Sequence, residues 1–193
     1  MKRSLPTLAL FLWVCSGASS FAHTGQMPAS GFVSGAMHPF TGGDHLLAML
    51  AVGLWAAQLG GRAVWIVPAS FVGTMLLGGA LGFAGILPPF LETCISLSVL
   101  LLGLAIAFAV RVPTFLPAIL VAVFALFHGS AHGAEAPVAV SAFAYAAGFA
   151  VSTALLHGAG IVSGVVLGRF RPPIFIRVCG GLIAICGALL LFV

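Results

Sequence analysis

Apolar residues run along this chain in blocks too continuous for the alternation of a half-buried strand and too long for the stripe of a surface helix. Breakers divide the chain beyond residue 42 into six blocks, roughly 43–60, 64–86, 90–110, 114–133, 138–168 and 174–193. The separators are Gly60-Gly61-Arg62, Pro88-Pro89, Arg111-Val112-Pro113, the stretch from His132 to Pro137, and Arg169-Phe170-Arg171-Pro172-Pro173. Apolar runs of about 20 residues cross hydrocarbon as helices, because a helix satisfies its own backbone hydrogen bonds where water is absent. Links this short leave consecutive helices antiparallel neighbours. The pattern therefore predicts an all-α, polytopic membrane bundle of about six transmembrane helices. The fifth block exceeds one perpendicular crossing, so it is expected to be tilted, broken near His157-Gly158, or interfacial at its start.

Polarity at the start of the chain adds a processing signal. Lys2 and Arg3 precede an apolar run over residues 5–14, and Ser20 with Ala22 fits a small-x-small cleavage site. Residues 1–22 are expected to be a cleaved signal peptide, leaving 23–193 as a single transmembrane domain with His23 at its exported N-terminus. Starting from that end, the alternating links put Arg62, Arg111, Arg169, Arg171 and Arg177 on the cytoplasmic side, as the positive-inside rule requires. The same count puts all three carboxylates, Asp44, Glu92 and Glu135, on the outer side. A multi-pass protein of the bacterial inner membrane, its mature N-terminus periplasmic, fits both signals.

Composition narrows the function. The 193 residues are 62% hydrophobic and 5% charged, with a mean hydropathy of +1.26, against about 25% charged in a soluble domain. There is no room for a nucleotide-binding domain and no Gly-x-x-x-x-Gly-Lys-Ser/Thr run, so transport powered by the chain's own ATP hydrolysis is not expected. The formal charge of +4 comes from scattered single residues, which excludes a nucleic-acid-binding face. The partners that remain are the lipid bilayer and a small cation. Cys94, Cys179 and Cys186 follow no zinc-ribbon spacing and read as small packing residues. Glycines at four-residue spacing, Gly78 and Gly82, Gly129 and Gly133, then Gly160, Gly164 and Gly168, suit close helix contacts. Gly129 and Gly133 are also expected to leave open space beside the histidines they follow.

Ionisable groups are costly in such a chain, and they concentrate in two places. His38, Asp44 and His45 lie in one stretch, and His128, His132 and Glu135 in another. His128, His132 and Glu135 share one helix face at i, i+4 and i+7. Imidazoles one turn apart grip a divalent transition metal, but Gly129 replaces the glutamate that zinc hydrolases carry after their first histidine, which favours binding over hydrolysis. Pro39, Gly42 and Gly43 break any helix through His38, so His38 is expected on a re-entrant or extended segment, with Asp44 at the start of the first helix. His157, Glu92 and His23 are candidates for accessory metal contact.

The run His38-Pro-Phe-Thr-Gly-Gly-Asp44-His45-Leu-Leu-Ala-Met-Leu-Ala-Val-Gly53 resembles the signature of the HupE/UreJ family of nickel and cobalt transporters. Phe127-His128-Gly-Ser-Ala-His132-Gly-Ala-Glu135 is similar to the second motif of that family. The resemblance implies uptake of Ni2+ or Co2+ for enzymes such as hydrogenase or urease, with the metal as substrate and no permanent cofactor. It also implies that His38, Asp44, His45, His128, His132 and Glu135 are the functional residues. The alternatives from other classes are an intramembrane metal-dependent hydrolase and a non-transporting metal sensor or assembly scaffold. The topology has a direct check: cysteines introduced beside Glu92 or Glu135 should react with a membrane-impermeant thiol reagent added to intact spheroplasts, and cysteines beside Arg62 or Arg111 should react only after lysis. A cytoplasmic Glu135 would overturn the orientation.

Overall fold

The computed structural model of the chain describes residues 31–137, 140–170 and 172–192; the expected signal peptide and His23 lie outside them. The described residues form helices α1 (Gly31–Met37), α2 (Gly43–Leu59), α3 (Ala63–Phe83), α4 (Leu91–Ala107), α5 (Phe115–Glu135), α6 (Ala142–Phe170) and α7 (Ile174–Leu190), with a 3-10 turn at His38–Phe40. No strand occurs among them. Each apolar block of the sequence coincides, to within a few residues, with one of α2 to α7.

Helices α3, α5 and α6 are each long and apolar enough to cross a bilayer. The segment Gly31–Phe40 and α2 meet that criterion together as a pair bent by 81°. Helices α4 and α7 are apolar but hold 17 residues each, about 25 Å of helix against a hydrocarbon core of about 30 Å. Large apolar side chains point outward all along these helices, with Trp65 77%, Leu77 66%, Leu155 67% and Phe143 85% exposed. Contiguous apolar surface on that scale belongs in lipid. Helix α6 runs unbroken for 29 residues through His157-Gly158, so a break there is ruled out.

Glycine decides which helices touch. A Cβ at Gly129 would land on the Met75 carbonyl and one at Gly133 on the Gly79 carbonyl; from the other side, Gly78 and Gly82 face the Leu126 and Ser130 carbonyls. Helices α3 and α5 are thus pressed backbone to backbone. The direction a side chain would take from Gly129 and Gly133 is filled by α3, while the open space expected beside them is present as a cavity that both glycines line. The contact has a second effect, because each histidine precedes one of these glycines and lies about 100° round the helix from it. Seating the glycine ridge on α3 turns His128 and His132 into the bundle, where they are 0% and 3% exposed. Gly53 and Gly160 make the equivalent approach between α2 and α6, and Gly103 and Gly180 between α4 and α7.

Helix α1 has no counterpart in the sequence reading. Seven residues that include two glycines cannot hold a helix alone. Packing supplies what propensity lacks: Gly35 sits against the Tyr145 backbone and Gly148 against that of Phe32, which locks α1 onto α6.

Hydrogen bonds fasten one end of the bundle. Trp55 Nε1 donates to the Val110 carbonyl at 3.3 Å, Gln58 Nε2 to that of Ile106 at 3.2 Å, and Arg177 Nε to that of Ala107 at 2.7 Å. Arg62, Arg111 and Arg169 fall at helix ends on this side, and the antiparallel order leaves Asp44, Glu92 and Glu135 at the other. The seam between α3 and α5 predicts a contrast within one helix. Gly78→Leu, which drives a side chain into the α5 backbone, should lower the midpoint of thermal unfolding in detergent by several degrees or prevent folding. Gly73→Ala, which meets open space, should hold or raise it, since alanine in a helix interior is favoured over glycine by about 1 kcal/mol. Equal tolerance of both would refute the seam.

Candidate metal centre

The bend before α2 sets the first half of the site. Thr41 closes the 3-10 turn that carries His38; Gly42, extended with φ −108° and ψ 121°, then caps α2, which has Asp44 in its first turn. His38 therefore lies in a helical turn of a broken segment and not on extended chain. Asp44 Oδ1 accepts both the backbone N–H of His45 and its ring Nδ1, each at 2.7 Å. A carboxylate can only accept here, so Nδ1 carries the proton and the His45 Nε2 lone pair is free. That Nε2 is buried and has no hydrogen-bond partner among the described residues.

Helix α5 supplies the second half. His132 lies at the centre, its ring 4.1 Å from that of His45, 4.6 Å from that of His38 and 4.0 Å from that of Phe149, measured between centroids. Both of its ring nitrogens are buried without a partner. The His128 ring is 4.8 Å from that of His45, and Ser98 Oγ on α4 lies 2.9 Å from its Nε2. At the rim, His38 Nε2 meets Glu135 Oε2 at 3.1 Å. A cavity of about 330 Å³ walled by Met75, Phe83, Tyr145 and Phe149 leads between α3, α5 and α6 to His132.

Two groups could hold an ion, and they share a member. His45, His128 and His132 are all buried; the second group runs outward from buried His132 through half-buried His38 to exposed Glu135; within each group the ligand atoms lie within 4.8 Å of one another. Around a tetrahedral ion with bonds of about 2.1 Å, ligand atoms sit roughly 3.4 Å apart, so the rings must close inward to grip. The sequence pointed to one shared cavity, and the structure resolves it into two adjoining groups joined at His132. The backbones of α2 and α5 pack against other helices, α6 and α3, and the two meet through their imidazoles.

The remaining candidates fall elsewhere. Asp44 belongs to neither group and holds His45 instead. Glu92 is exposed at the start of α4, within electrostatic reach of Asp44 and Glu135 but outside both groups. His157 is buried with both ring nitrogens unpartnered, yet Phe71 stands between it and the cluster, 5.1 Å from His157 and 5.7 Å from His128 by ring centroids. Sequence reasoning missed Ser98, Phe71, Tyr145 and Phe149. Two hydroxyls and three aromatic rings in apolar runs carry no ligand signature, and their placement follows from helix packing.

The family model described as HupE / UreJ protein matches residues 10–190. The chain belongs to the HupE/UreJ family. It is also 50% identical over 172 residues to Protein HupE of Rhizobium leguminosarum bv. viciae, a match covering 88% of each chain. No solved structure matches it. HupE/UreJ proteins are transporters and not enzymes, which removes the hydrolase alternative and agrees with the glycine that follows His128.

The shared position of His132 gives a ranking to test. Removing even an outer-shell partner of a ligand costs about 10–100-fold in metal affinity, so His132→Ala should cost more than that. Glu135→Gln should cost less than His132→Ala, and Cys179→Ser, a free thiol outside both groups, should cost nothing. Calorimetric titration of Co2+ into the purified variants reads the order; Co2+ affinity unchanged in His132→Ala would remove it from the site.

Proposed function

We propose that the chain is a secondary permease of the bacterial inner membrane that takes up a divalent transition metal, Ni2+ or Co2+, for delivery to metalloenzymes. The observation that carries the reading is the set of orphaned imidazole nitrogens on His45, His128 and His132. A buried polar atom without a partner costs about 1–3 kcal/mol, and a cation with neutral nitrogen donors around it would repay several such atoms at once. Imidazole suits Ni2+ and Co2+ and gives them up more readily than a thiolate cage does. His38, His132 and Glu135 form the capture group, with Glu135 supplying charge at the rim. His132 then passes the ion to His45 and His128, and Asp44 keeps His45 presenting Nε2. The acids, on the periplasmic side by the positive-inside count, attract cations to that mouth.

The membrane potential supplies the drive. A divalent ion moving inward gains roughly 4–5 kcal/mol per 100 mV, so no nucleotide is needed. Acid opposes binding, because an imidazolium has no lone pair for the metal.

Flux into liposomes separates this reading from a sensor or scaffold. Purified protein should admit Ni2+ or Co2+ when an inward-directed potential is imposed, more slowly as the outside pH falls from 7 toward 5, and Asp44→Asn should lose most of that flux. Saturable metal binding with no flux would mean a sensor. Flux independent of potential would overturn the driving force.

A further inference from the structure

Ser98 is the one polar side chain that α4 aims at the cluster with a settled hydrogen-bond role, and neither motif contains it. It is fully buried. Its Oγ lies 2.6 Å from the Ile95 carbonyl and 2.9 Å from His128 Nε2. A serine hydroxyl has one proton, and a carbonyl oxygen can only accept. Two oxygens 2.6 Å apart without a proton between them would repel, so the proton lies on the line to Ile95. The Oγ can then offer His128 nothing except a lone pair. His128 must bring the proton itself, on Nε2, which leaves Nδ1 bare, and Nδ1 is the buried nitrogen that has no partner.

We propose that Ser98 is a positioning residue for the metal centre: it accepts the Nε2–H of His128 and so fixes the tautomer in which Nδ1 can receive a divalent cation. The inference rests on the metal-binding reading of His45, His128 and His132. It also completes a symmetry of roles, since Asp44 fixes the opposite tautomer of His45. A carboxylate strengthens its imidazole as a donor, and a hydroxyl does so less. The site therefore pairs one strong and one weaker nitrogen donor, an arrangement suited to an ion that has to be released.

Histidine 15N spectra of the metal-free protein report the tautomer directly, with the His128 signals assigned by their loss in His128→Ala. Wild type should show His128 protonated at Nε2 and bare at Nδ1, and Ser98→Ala should shift it toward a mixture of tautomers. Titration with Co2+ should find affinity about 10–100-fold weaker in Ser98→Ala, and no further loss when Ser98→Ala is added to His128→Ala. That non-additivity separates action through His128 from a general packing role. A wild-type His128 protonated at Nδ1 overturns the proposal, and this measurement stands even where Ser98→Ala does not fold. Wild-type Co2+ affinity in Ser98→Ala, or full additivity in the double variant, also overturns it. If His128→Ala itself binds Co2+ as wild type does, the metal-centre reading falls; if His128→Ala fails to bind while Ser98→Ala binds normally, Ser98 alone is wrongly assigned.

Discussion

An imidazole buried in a lipid-embedded bundle has no water to bond with, and each ring nitrogen it leaves bare weakens the fold. Four buried histidines, His45, His128, His132 and His157, carry such nitrogens. Their neighbours are chosen as though to keep them bare. Asp44 occupies one nitrogen of His45, Ser98 one of His128, and aromatic rings surround the rest: Phe149 stands on His132, and Phe71 between His128 and His157. Aromatic walls exclude water without offering a competing acceptor. The open nitrogens of His45, His128 and His132 converge, and that convergence is what a fold selected for stability alone would avoid.

Holding the rings in place falls to the glycines. Histidines on a loosely packed helix would rotate to find partners or reach the surface. Helix α5 cannot rotate, because Gly129 and Gly133 are seated on the α3 backbone at Met75 and Gly79. The residues that set the ring positions are therefore the small ones next to them in sequence. Helix α6 has the same part on the other side: it holds α1 at Gly148 and α2 at Gly160, and those two contacts fix the 81° bend that brings His38 beside His132.

What the sequence disclosed divides along the same physical line. Hydropathy periodicity and breakers located α2 to α7, because lipid imposes a length and a polarity on each helix that single residues cannot hide. The pairing of His128 with His132 was legible for a similar reason, since one turn of helix fixes their spacing. Helix α1 was not, as it exists through contact with α6 and not through its own propensity. Asp44 shows the limit for chemistry: its residue type reads as a ligand, and only the 2.7 Å contacts with His45 reveal a carboxylate already engaged. The division of the histidines into two groups depends on the bend at Gly42 and on the seat of α5, both tertiary. His157 carries the same lesson in reverse, since a membrane histidine invites a metal role and the ring of Phe71 keeps it outside the cluster.

The two groups bear on how a permease of this design would work. They share His132, so an ion held by all of one group takes a ligand from the other. Two divalent charges about 6 Å apart would repel by about 11 kcal/mol, even with an effective dielectric constant near 20. In the proposed transport cycle that repulsion favours one ion at a time, with His132 leaving the capture group before it serves the buried one. The group at the rim has one exposed carboxylate, Glu135, which meets His38 at 3.1 Å. The buried group adds no carboxylate of its own as a ligand, because Asp44 faces Nδ1 of His45 and not the centre. On the proposed reading, an ion there would feel that charge only through the ring of His45, which favours release over trapping.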